Sequence, residues 1–330
     1  MPERELTTAI EIADADGRLR RDAIGWSRHP LHRCNFDGHA RAHAFDYWCV
    51  TTPEVALTFL VADVGVAGVA LVSLLELASG ATVERVQAWP GGLPASMPPS
   101  PDGELVLDAW RLRLVVGPRR LQAEARTITG RRIDVDVAIE RPDGHETVNV
   151  LVPWDDTRFH FTSKQQALPA RGFARIDGRE HRFDPDAQAF ACRDFGRGRR
   201  PKGIDWCWAF ASARIPGHTI GFNLGARWTD DTGVSENALV IDGRVHKIAD
   251  AVDFDLDLRD RRAPWRIRTR TSDRVALTFT PLTERRVRVP PFVRLHQRIG
   301  RFTGTVVDDH GTPLALDGVL GLAEDVRGRW

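Results

Sequence analysis

The residues best suited to chemistry lie between positions 192 and 246. The stretch 192–202 reads Cys-Arg-Asp-Phe-Gly-Arg-Gly-Arg-Arg-Pro-Lys and places five cations and one acid, Asp194, in a glycine-rich segment. As a loop, this segment could bind a carboxylate, phosphate or sulfate through arginine forks. The alternative is a solvated arginine loop. A phosphate-binding P-loop is not predicted, because the Gly and Lys spacing differs and no Ser or Thr follows Lys202.

Asp194 can be interpreted in two ways. Beside Phe195 and Trp206 its carboxyl would resist ionisation and could donate a proton. Paired with Arg197 it would stay ionised and shape the loop, because an arginine cannot be neutralised. The density of arginines favours the pair. Asp194 is therefore the candidate catalytic acid, and Arg197 is a candidate ligand-binding residue.

Two predicted strands follow this segment. In the first, Trp206 and Trp208 share one face. An aromatic stripe of this kind is usually core, but it could also form the wall of an apolar ligand cavity in which each indole adds a donor. In the second, Asn223, Gly225 and Arg227 share a face with Gly221. Glycine within a strand often marks the close approach of a ligand or backbone, so we expect this face to line a cavity; an edge or outward face is the alternative.

A predicted hairpin completes the candidate site. Glu236 and Asn237 precede it and are candidate ligand-binding residues, and His246 follows its Asp242-Gly243 turn. A lone histidine there is usually a hydrogen-bonded structural residue. If His246 lines a cavity, it could move a proton near neutral pH, so it joins Asp194 as a catalytic candidate.

The elements that must position these residues are strands. Apolar and charged residues alternate along 132–139 and along 110–114, where Trp110, Leu112 and Leu114 form the predicted buried face. Asp-Gly at 177–178 and at 242–243 predicts two-residue type I′ hairpins. Long helical periodicity is missing. The sequence therefore predicts an all-β protein of two barrel or sandwich halves, mostly antiparallel, with little helix.

The chain divides into three predicted parts. Residues 1–44 are mostly irregular and are expected to pack on the body. The first β domain is expected at 45–165 and the second at 166–330, with the boundary at 164–172, Lys-Gln-Gln-Ala-Leu-Pro-Ala-Arg-Gly. Residues 88–103, with five prolines and three glycines, predict a long loop.

Composition excludes several classes of protein. With 46 basic and 45 acidic residues the net charge is +1, which argues against nucleic-acid and anionic-membrane partners. A charged fraction of 28% with 42% hydrophobic residues excludes a disordered chain. We predict neither a signal peptide nor a membrane span. The expected location is the cytoplasm and the expected partner a small hydrophobic molecule; the oligomeric state stays open.

Metal and disulfide chemistry is not predicted. The chain has four cysteines: Cys34, Cys49, Cys192 and Cys207. No Cys-x-x-Cys occurs, so buried, reduced thiols are expected. Four histidines form a loose group: His29, His32, His39 and His43. They lack acidic or cysteine partners at fixed spacing, so we expect no metal and no cofactor.

Several short phrases, taken together, resemble one microbial family, domain of unknown function 2804, from about residue 14 to the end of the chain. The phrases lie at 25–28, 30–32, 47–50, 152–154, 161–165, 194–198, 206–208, 223–225, 228–230 and 236–239. Where the family has Asp-Trp-Gly-Arg-Gly, this chain has Phe195, which keeps an aromatic wall but removes an indole donor. The family implies no established activity. Its architecture resembles, more distantly, the tandem lipocalin-type proteins, which include carotenoid hydratases and cofactor-free cyclases.

Three functions compete. The first is binding of an apolar or lipid-like molecule in a Trp-lined, lipocalin-like barrel cavity with an Arg-rich rim. The second, which the distant resemblance implies, is a cofactor-independent hydratase, isomerase or cyclase. Asp194 would be its acid, and Asn223, Arg227 or His246 would orient water. The third is a carbohydrate-active β protein, which would need two carboxylates facing one cleft. The sequence leaves open whether there is turnover.

Overall fold

The structure is all-β, as the sequence predicts. The computed structural model describes residues 3–36, 42–257, 259–260, 262–289 and 293–329. Within these ranges there are 24 strands and two short 3-10 helices, Arg21–Ala23 and Pro185–Ala187, and no α-helix. Two large antiparallel sheets curl into two half-barrels. A small parallel ribbon pairs β1 (Ile10–Glu11) with β3 (His32–Arg33).

The first large sheet contains thirteen strands. They are β2 (Gly25–Ser27), β4 (His43–Thr51), β5 (Val55–Asp63), β6 (Ala67–Glu76), β7 (Thr82–Pro90), β8 (Leu105–Ala109), β9 (Leu112–Val116), β10 (Arg120–Arg126), β11 (Arg132–Ile139), β12 (Val148–Pro153), β13 (Phe159–Ile176), β14 (Arg179–Phe183) and β15 (Phe190–Arg199). Their main order is β7-β6-β5-β4-β15-β13-β11-β10-β9-β8, with β14 on β13 and β12 between β13 and β2. The central position of β13 and β15 brings their polar residues into the middle of the protein.

The second large sheet contains nine strands. They are β16 (Ile204–Ile215), β17 (His218–Ala226), β18 (Ala238–Ile241), β19 (Arg244–Lys247), β20 (Val252–Asp255), β21 (Trp265–Thr269), β22 (Val275–Val289), β23 (Val293–Val307) and β24 (Pro313–Gly328). Their order is β19-β18-β17-β16-β24-β23-β22-β21-β20.

Side chains alternate between two cores and a layer that the sheets share. In β4, Trp48 belongs to the core of the first sheet, whereas Tyr47 belongs to a cluster with Trp208 and Phe210 of the second sheet. In β17, Phe222 belongs to the core of the second sheet. This alternation is the ordinary consequence of the two-residue period of a strand. The cluster between the sheets, here called the middle layer, includes the candidate site residue Trp208, and Trp206 packs against it.

The hairpin predictions are confirmed, and one detail of the strand prediction is wrong. Both Asp-Gly turns have positive φ at both residues: 50° and 90° at 177–178, and 50° and 79° at 242–243. Residues 132–139 alternate in burial as expected. Trp110 is 66% exposed and lies in the turn between β8 and β9, beside Arg111 with φ 57°. The register pairs Ala109 with Leu112, so the two residues between them must form the turn.

Two segments that looked like loops are strands. Residues 164–172 lie inside β13, which has a bulge between Gln165 and Leu168. Residues 192–199 belong to β15, and the chain passes from the first sheet to the second at 200–203. Glycine in β15 serves close packing and not a turn: a Cβ at Gly196 would overlap the rings of Phe45 and His160.

All four cysteines are buried, as predicted, and none is paired in a disulfide. Among the described residues, no three His, Cys, Asp or Glu side chains are grouped to hold a metal ion. His32 is buried and its Nε2 lies 3.1 Å from the backbone oxygen of Ala23, whereas His39 lies outside the described residues. The described part of the chain contains no helix long and apolar enough to cross a membrane.

We predict that Gly196→Ala destabilises the protein by about 1–3 kcal/mol, because the new methyl group must displace two packed rings. Gly203→Ala is the matched control. The φ of Gly203 is not positive, and its Cβ would meet only the flexible side chain of Arg329, at 3.4 Å or more, so we expect little loss. Urea unfolding of both variants measures the difference, and equal losses would refute the packing role of Gly196.

Candidate active site

A buried cation bound to two carboxylates lies at the centre of the middle layer. Lys164 Nζ is 2.7 Å from Asp194 Oδ2 and 3.0 Å from Glu236 Oε2. The three side chains are 4%, 11% and 1% exposed. Thr162 Oγ1 donates a hydrogen bond to Asp194 Oδ1 at 3.1 Å. Lys164, Asp194 and Glu236 are called the charged triad below.

The triad is assembled from both sheets. Lys164 on β13 lies directly opposite Asp194 on β15, because the two strands pair in antiparallel register. Glu236 comes from the connection between β17 and β18 of the second sheet. The triad therefore joins residues that are far apart in sequence, and only the pairing of distant strands brings them together.

Three residues that the sequence singled out hold Glu236 in place. Asn223 Nδ2 donates to the backbone oxygen of Glu236 at 2.9 Å, and the backbone nitrogen of Gly225 donates to Asn237 Oδ1 at 2.6 Å. A Cβ at Gly225 would overlap Glu236 Oε1. The glycine thus allows the close approach that was predicted for this strand, and the group that approaches it is a protein carboxyl.

Aromatic rings form one wall of the triad. Lys164 Nζ lies 4.6 Å from the ring centroid of Trp208, a cation–π distance. The indole nitrogen of Trp208 donates to Asn223 Oδ1 at 2.7 Å. The rings of Phe210 and Tyr47 lie 4.6 and 5.7 Å from that of Trp208. Trp208 therefore offers its π face to the ammonium of Lys164, and its hydrogen bond to Asn223 fixes the position of the ring.

A further acid, Glu324, lies in the same layer. It accepts hydrogen bonds from Trp206 Nε1 at 2.8 Å and from Gln297 Nε2 at 3.0 Å. Its neighbour Asp325 binds Arg227 at 2.6 Å. Because adjacent residues of β24 point to opposite faces, the Arg227 ion pair lies on the other side of the sheet from Glu324.

Burial favours the protonated form of Glu236 in the charged triad. Burial is the main cause that raises the pKa of Glu236; the charge of Asp194 adds to the rise and Lys164 opposes it. Burial also raises the pKa of Glu324. Two carboxylates and one ammonium carry a net negative charge, which burial penalises. Retaining one proton would make the triad itself neutral, and Glu236 is the carboxyl whose pKa burial raises.

The structure brings some of the sequence candidates together and separates others. Asp194, Trp208, Asn223, Gly225, Glu236 and Asn237 meet at or beside the triad, and Trp206 lies near it on Glu324. Arg197 instead donates to the backbone oxygens of Met97 at 3.3 Å and Pro98 at 3.4 Å. His246 Nδ1 lies 3.4 Å from Asp309 Oδ2, in the hairpin between β23 and β24.

The ion pair expected between Asp194 and Arg197 is corrected by the structure, in which Lys164 is the cation bound to Asp194. Residues 194 and 197 are three apart in a strand, so their side chains point to opposite faces. Lys164 was missed because its polar surroundings resembled a linker. The sequence did offer one signal, because lysine is rare in this chain: Lys164 is one of three lysines among 46 cationic residues.

These features define a class: two curled antiparallel half-barrels with a buried cluster of two carboxyl groups and one lysine between them. The profile of the family described as Domain of unknown function (DUF2804) matches residues 3–330, and the chain belongs to that family. A comparison with curated proteins gives no match.

Solved structures of other proteins are similar in fold. A Nitrosomonas europaea protein provisionally named AttH matches with a TM-score of 0.53 and 13% identity, over 86% of this chain and 92% of that one. Kievitone hydratase from Nectria haematococca matches with a TM-score of 0.50 and 13% identity, over 99% of this chain and 97% of that one. CghA with Sch210972 has a TM-score of 0.47 and 13% identity, over 88% of each chain.

We predict that Lys164→Met destabilises the protein by about 3–5 kcal/mol, because it leaves two buried carboxyls without their cation. Lys202→Met is the matched control, since Lys202 is exposed. The loss should shrink as the pH falls and Glu236, whose pKa is raised, becomes protonated. Denaturant unfolding at several pH values measures it, and a pH-independent loss equal to that of the control would contradict the ion cluster.

We also predict a pH-dependent difference between wild type and Glu236→Gln. The pKa of Glu236 is raised in the folded state, so folding opposes its ionisation. The wild type should therefore lose unfolding free energy relative to Glu236→Gln as the pH rises above 4.5, the ordinary glutamic acid pKa. Parallel pH profiles of the two proteins would show that Glu236 titrates normally.

Proposed function

We propose that this protein is a cofactor-independent acid–base enzyme of the hydratase, isomerase or cyclase type. Its substrate would be a small apolar molecule with a carbon–carbon double bond, bound against the aromatic wall of the middle layer. The observation that carries the proposal is the charged triad: two buried carboxyls share one lysine, so one of them can stay protonated at neutral pH. A neutral carboxylic acid in an apolar environment is a strong candidate general acid.

The triad can supply both halves of an addition of water. The carboxyl of Glu236 would give its proton to one carbon of the double bond. The carboxylate of Asp194 would take a proton from a water molecule whose oxygen bonds to the other carbon. The net result is addition of one water, and transfer of the proton from Asp194 to Glu236 through Lys164 would restore the resting state. Isomerisation or cyclisation would return a proton from carbon to Asp194 instead.

The aromatic wall would assist by stabilising positive charge. Protonation of a double bond creates carbocation character, and the face of an indole attracts cations. Trp208 already faces the ammonium of Lys164 at 4.6 Å. A cationic transition state beside this ring would therefore be stabilised by the same interaction.

The similar solved structures support the proposal at the level of fold. One of them, matched over nearly the whole of both chains, is by name a hydratase. At 13% identity the match carries no residue assignments to this chain. The residues proposed here rest on the contacts of the triad.

Binding of an apolar or lipid-like molecule without turnover is the second candidate. The short contact between Lys164 and Asp194 favours it, because a satisfied ion pair is also what a purely structural carboxylate would form. Carbohydrate chemistry ranks lower, because both carboxyls are bound to Lys164, whereas glycoside hydrolysis needs a carboxyl pair that faces one cleft. In both leading cases we propose a cytoplasmic protein, since four buried cysteines without a disulfide suit a reducing compartment.

The test begins with native mass spectrometry of protein purified from its own host, to identify a bound molecule. That molecule is then incubated with the protein in heavy-isotope water. A hydratase introduces the oxygen isotope, and an isomerase or cyclase introduces deuterium. Glu236→Gln should still bind the molecule but lose isotope incorporation about 100-fold or more.

The matched control is Glu146→Gln. Glu146 is also buried, but it binds Arg28 and Arg244 away from the triad. Its variant should retain incorporation in whatever fraction stays folded. Full incorporation by folded Glu236→Gln would refute the proposed acid. Binding with no incorporation by the wild type would establish the carrier function instead.

A further inference from the structure

Arg200 is a half-buried cation beside the triad that has no acidic partner. It follows β15 directly and lies 4.8 Å from the ring centroid of Phe45. Its Nη2 donates to His160 Nε2 at 3.0 Å. In the described part of the chain no carboxylate oxygen lies within 4.0 Å of its guanidinium. A guanidinium has five N–H donors. Nε and Nη2 of Arg200 both face His160, which leaves the two N–H groups of Nη1 for a ligand.

The hydrogen-bond partner of Arg200, His160, carries no negative charge. His160 is fully buried, and burial together with nearby Arg200 holds its pKa well below the ordinary value. The imidazole is therefore neutral and accepts the Arg200 hydrogen bond. Its ring stacks on Phe45 with centroids 5.8 Å apart and meets Trp228 at 6.1 Å. The guanidinium is thus held by aromatic groups that fix its orientation.

The positive charge of Arg200 interacts with the carboxyl groups of Asp194 and Glu236. Burial lowers the pKa of Arg200 to about 10, while Asp194 and Glu236 both act to raise it. When Glu236 is ionised, the negative triad balances Arg200. When Glu236 is protonated, the triad is neutral and Arg200 carries an uncompensated charge. A proton on Glu236 and an anion at Arg200 therefore favour each other.

We propose that Arg200 binds the carboxylate of an apolar acid and that the bound anion keeps Glu236 protonated. This inference rests on the proposed function and specifies its substrate class: an amphipathic molecule whose apolar body lies on the aromatic wall. The carboxylate would accept two parallel hydrogen bonds from the guanidinium fork. The bound anion would then stabilise the protonated acid that the reaction needs.

The other groups that face Glu236 agree with this direction. They are the ammonium of Lys164, the carboxylate of Asp194, the indole of Trp228, the guanidinium of Arg200 and, farther away, the ammonium of Lys247. Lys164 is bound to Asp194, and Lys247 is bound to Glu3 at 3.0 Å. Arg200 is therefore the cation in this group whose charge a ligand can neutralise.

Isothermal titration calorimetry with decanoate and decanol tests the inference. The two probes share an apolar chain, and only decanoate carries a charge. We expect the wild type to bind decanoate about tenfold more tightly or better, as one charge-assisted hydrogen-bond pair provides. Arg200→Gln should bind both probes equally, and Arg200→Lys should keep part of the preference.

Arg199→Gln is the matched control, because Arg199 points to the other face of β15, where it donates to the backbone oxygen of Gly17 at 2.5 Å. It should keep the wild-type preference. Repeating the titration in buffers of different ionisation heat counts protons. At a pH high enough to ionise Glu236 in the free protein, we expect uptake of about one proton per decanoate by the wild type, and none by Glu236→Gln or with decanol.

Equal binding of the two probes by the wild type would refute the proposed role of Arg200 in binding the carboxylate. A preference for decanoate that survives in folded Arg200→Gln would refute it as well. Decanoate preference without proton uptake would overturn the link to Glu236. If the probes bind equally while Glu236-dependent isotope incorporation persists, the inference fails and the proposed function stands. If the wild type binds neither probe, an apolar acid is not the ligand class and the inference is refuted.

Discussion

The burial of one lysine between two carboxylates is the interaction on which the middle of this protein depends. Lys164 and Asp194 come from neighbouring strands of the first sheet, and Glu236 comes from the second. Removing one member of such a cluster is costly, whereas apolar residues of similar volume could often replace the whole cluster without loss of stability. Stability alone therefore does not account for the triad. An excess of acid over base in a water-poor layer is what acid–base chemistry requires.

The surrounding residues are arranged to tolerate this cluster. Gly225 leaves room for the carboxyl of Glu236, and Asn223 connects the backbone of Glu236 to the indole of Trp208. Each bond satisfies a polar group that burial would otherwise penalise. The ring of Trp208 then faces the ammonium of Lys164. The same contacts that stabilise the buried cluster also fix the geometry of its acid and its aromatic wall.

Most of the fold, and about half of the site, could be predicted from the sequence. Period-two alternation and the two Asp-Gly turns are local signals, and they predicted strands and hairpins correctly. The interior glycine at 225 correctly indicated the close approach of another group, which is the carboxyl of Glu236. The pairing of Asp194 with Lys164 could not be predicted, because it depends on which strands lie side by side. Polar, glycine-rich sequence normally indicates a loop, but in β13 and β15 it forms buried strands whose polar groups satisfy one another.

The central claim is that Glu236 holds a proton at neutral pH inside the folded protein. Infrared spectroscopy measures this directly, because a protonated carboxyl has a carbonyl band separate from those of carboxylates. The account predicts such a band at neutral pH that loses intensity in Glu236→Gln and keeps it in Glu146→Gln. A spectrum without a protonated carboxyl, or with a band that Glu236→Gln leaves unchanged, would contradict the account.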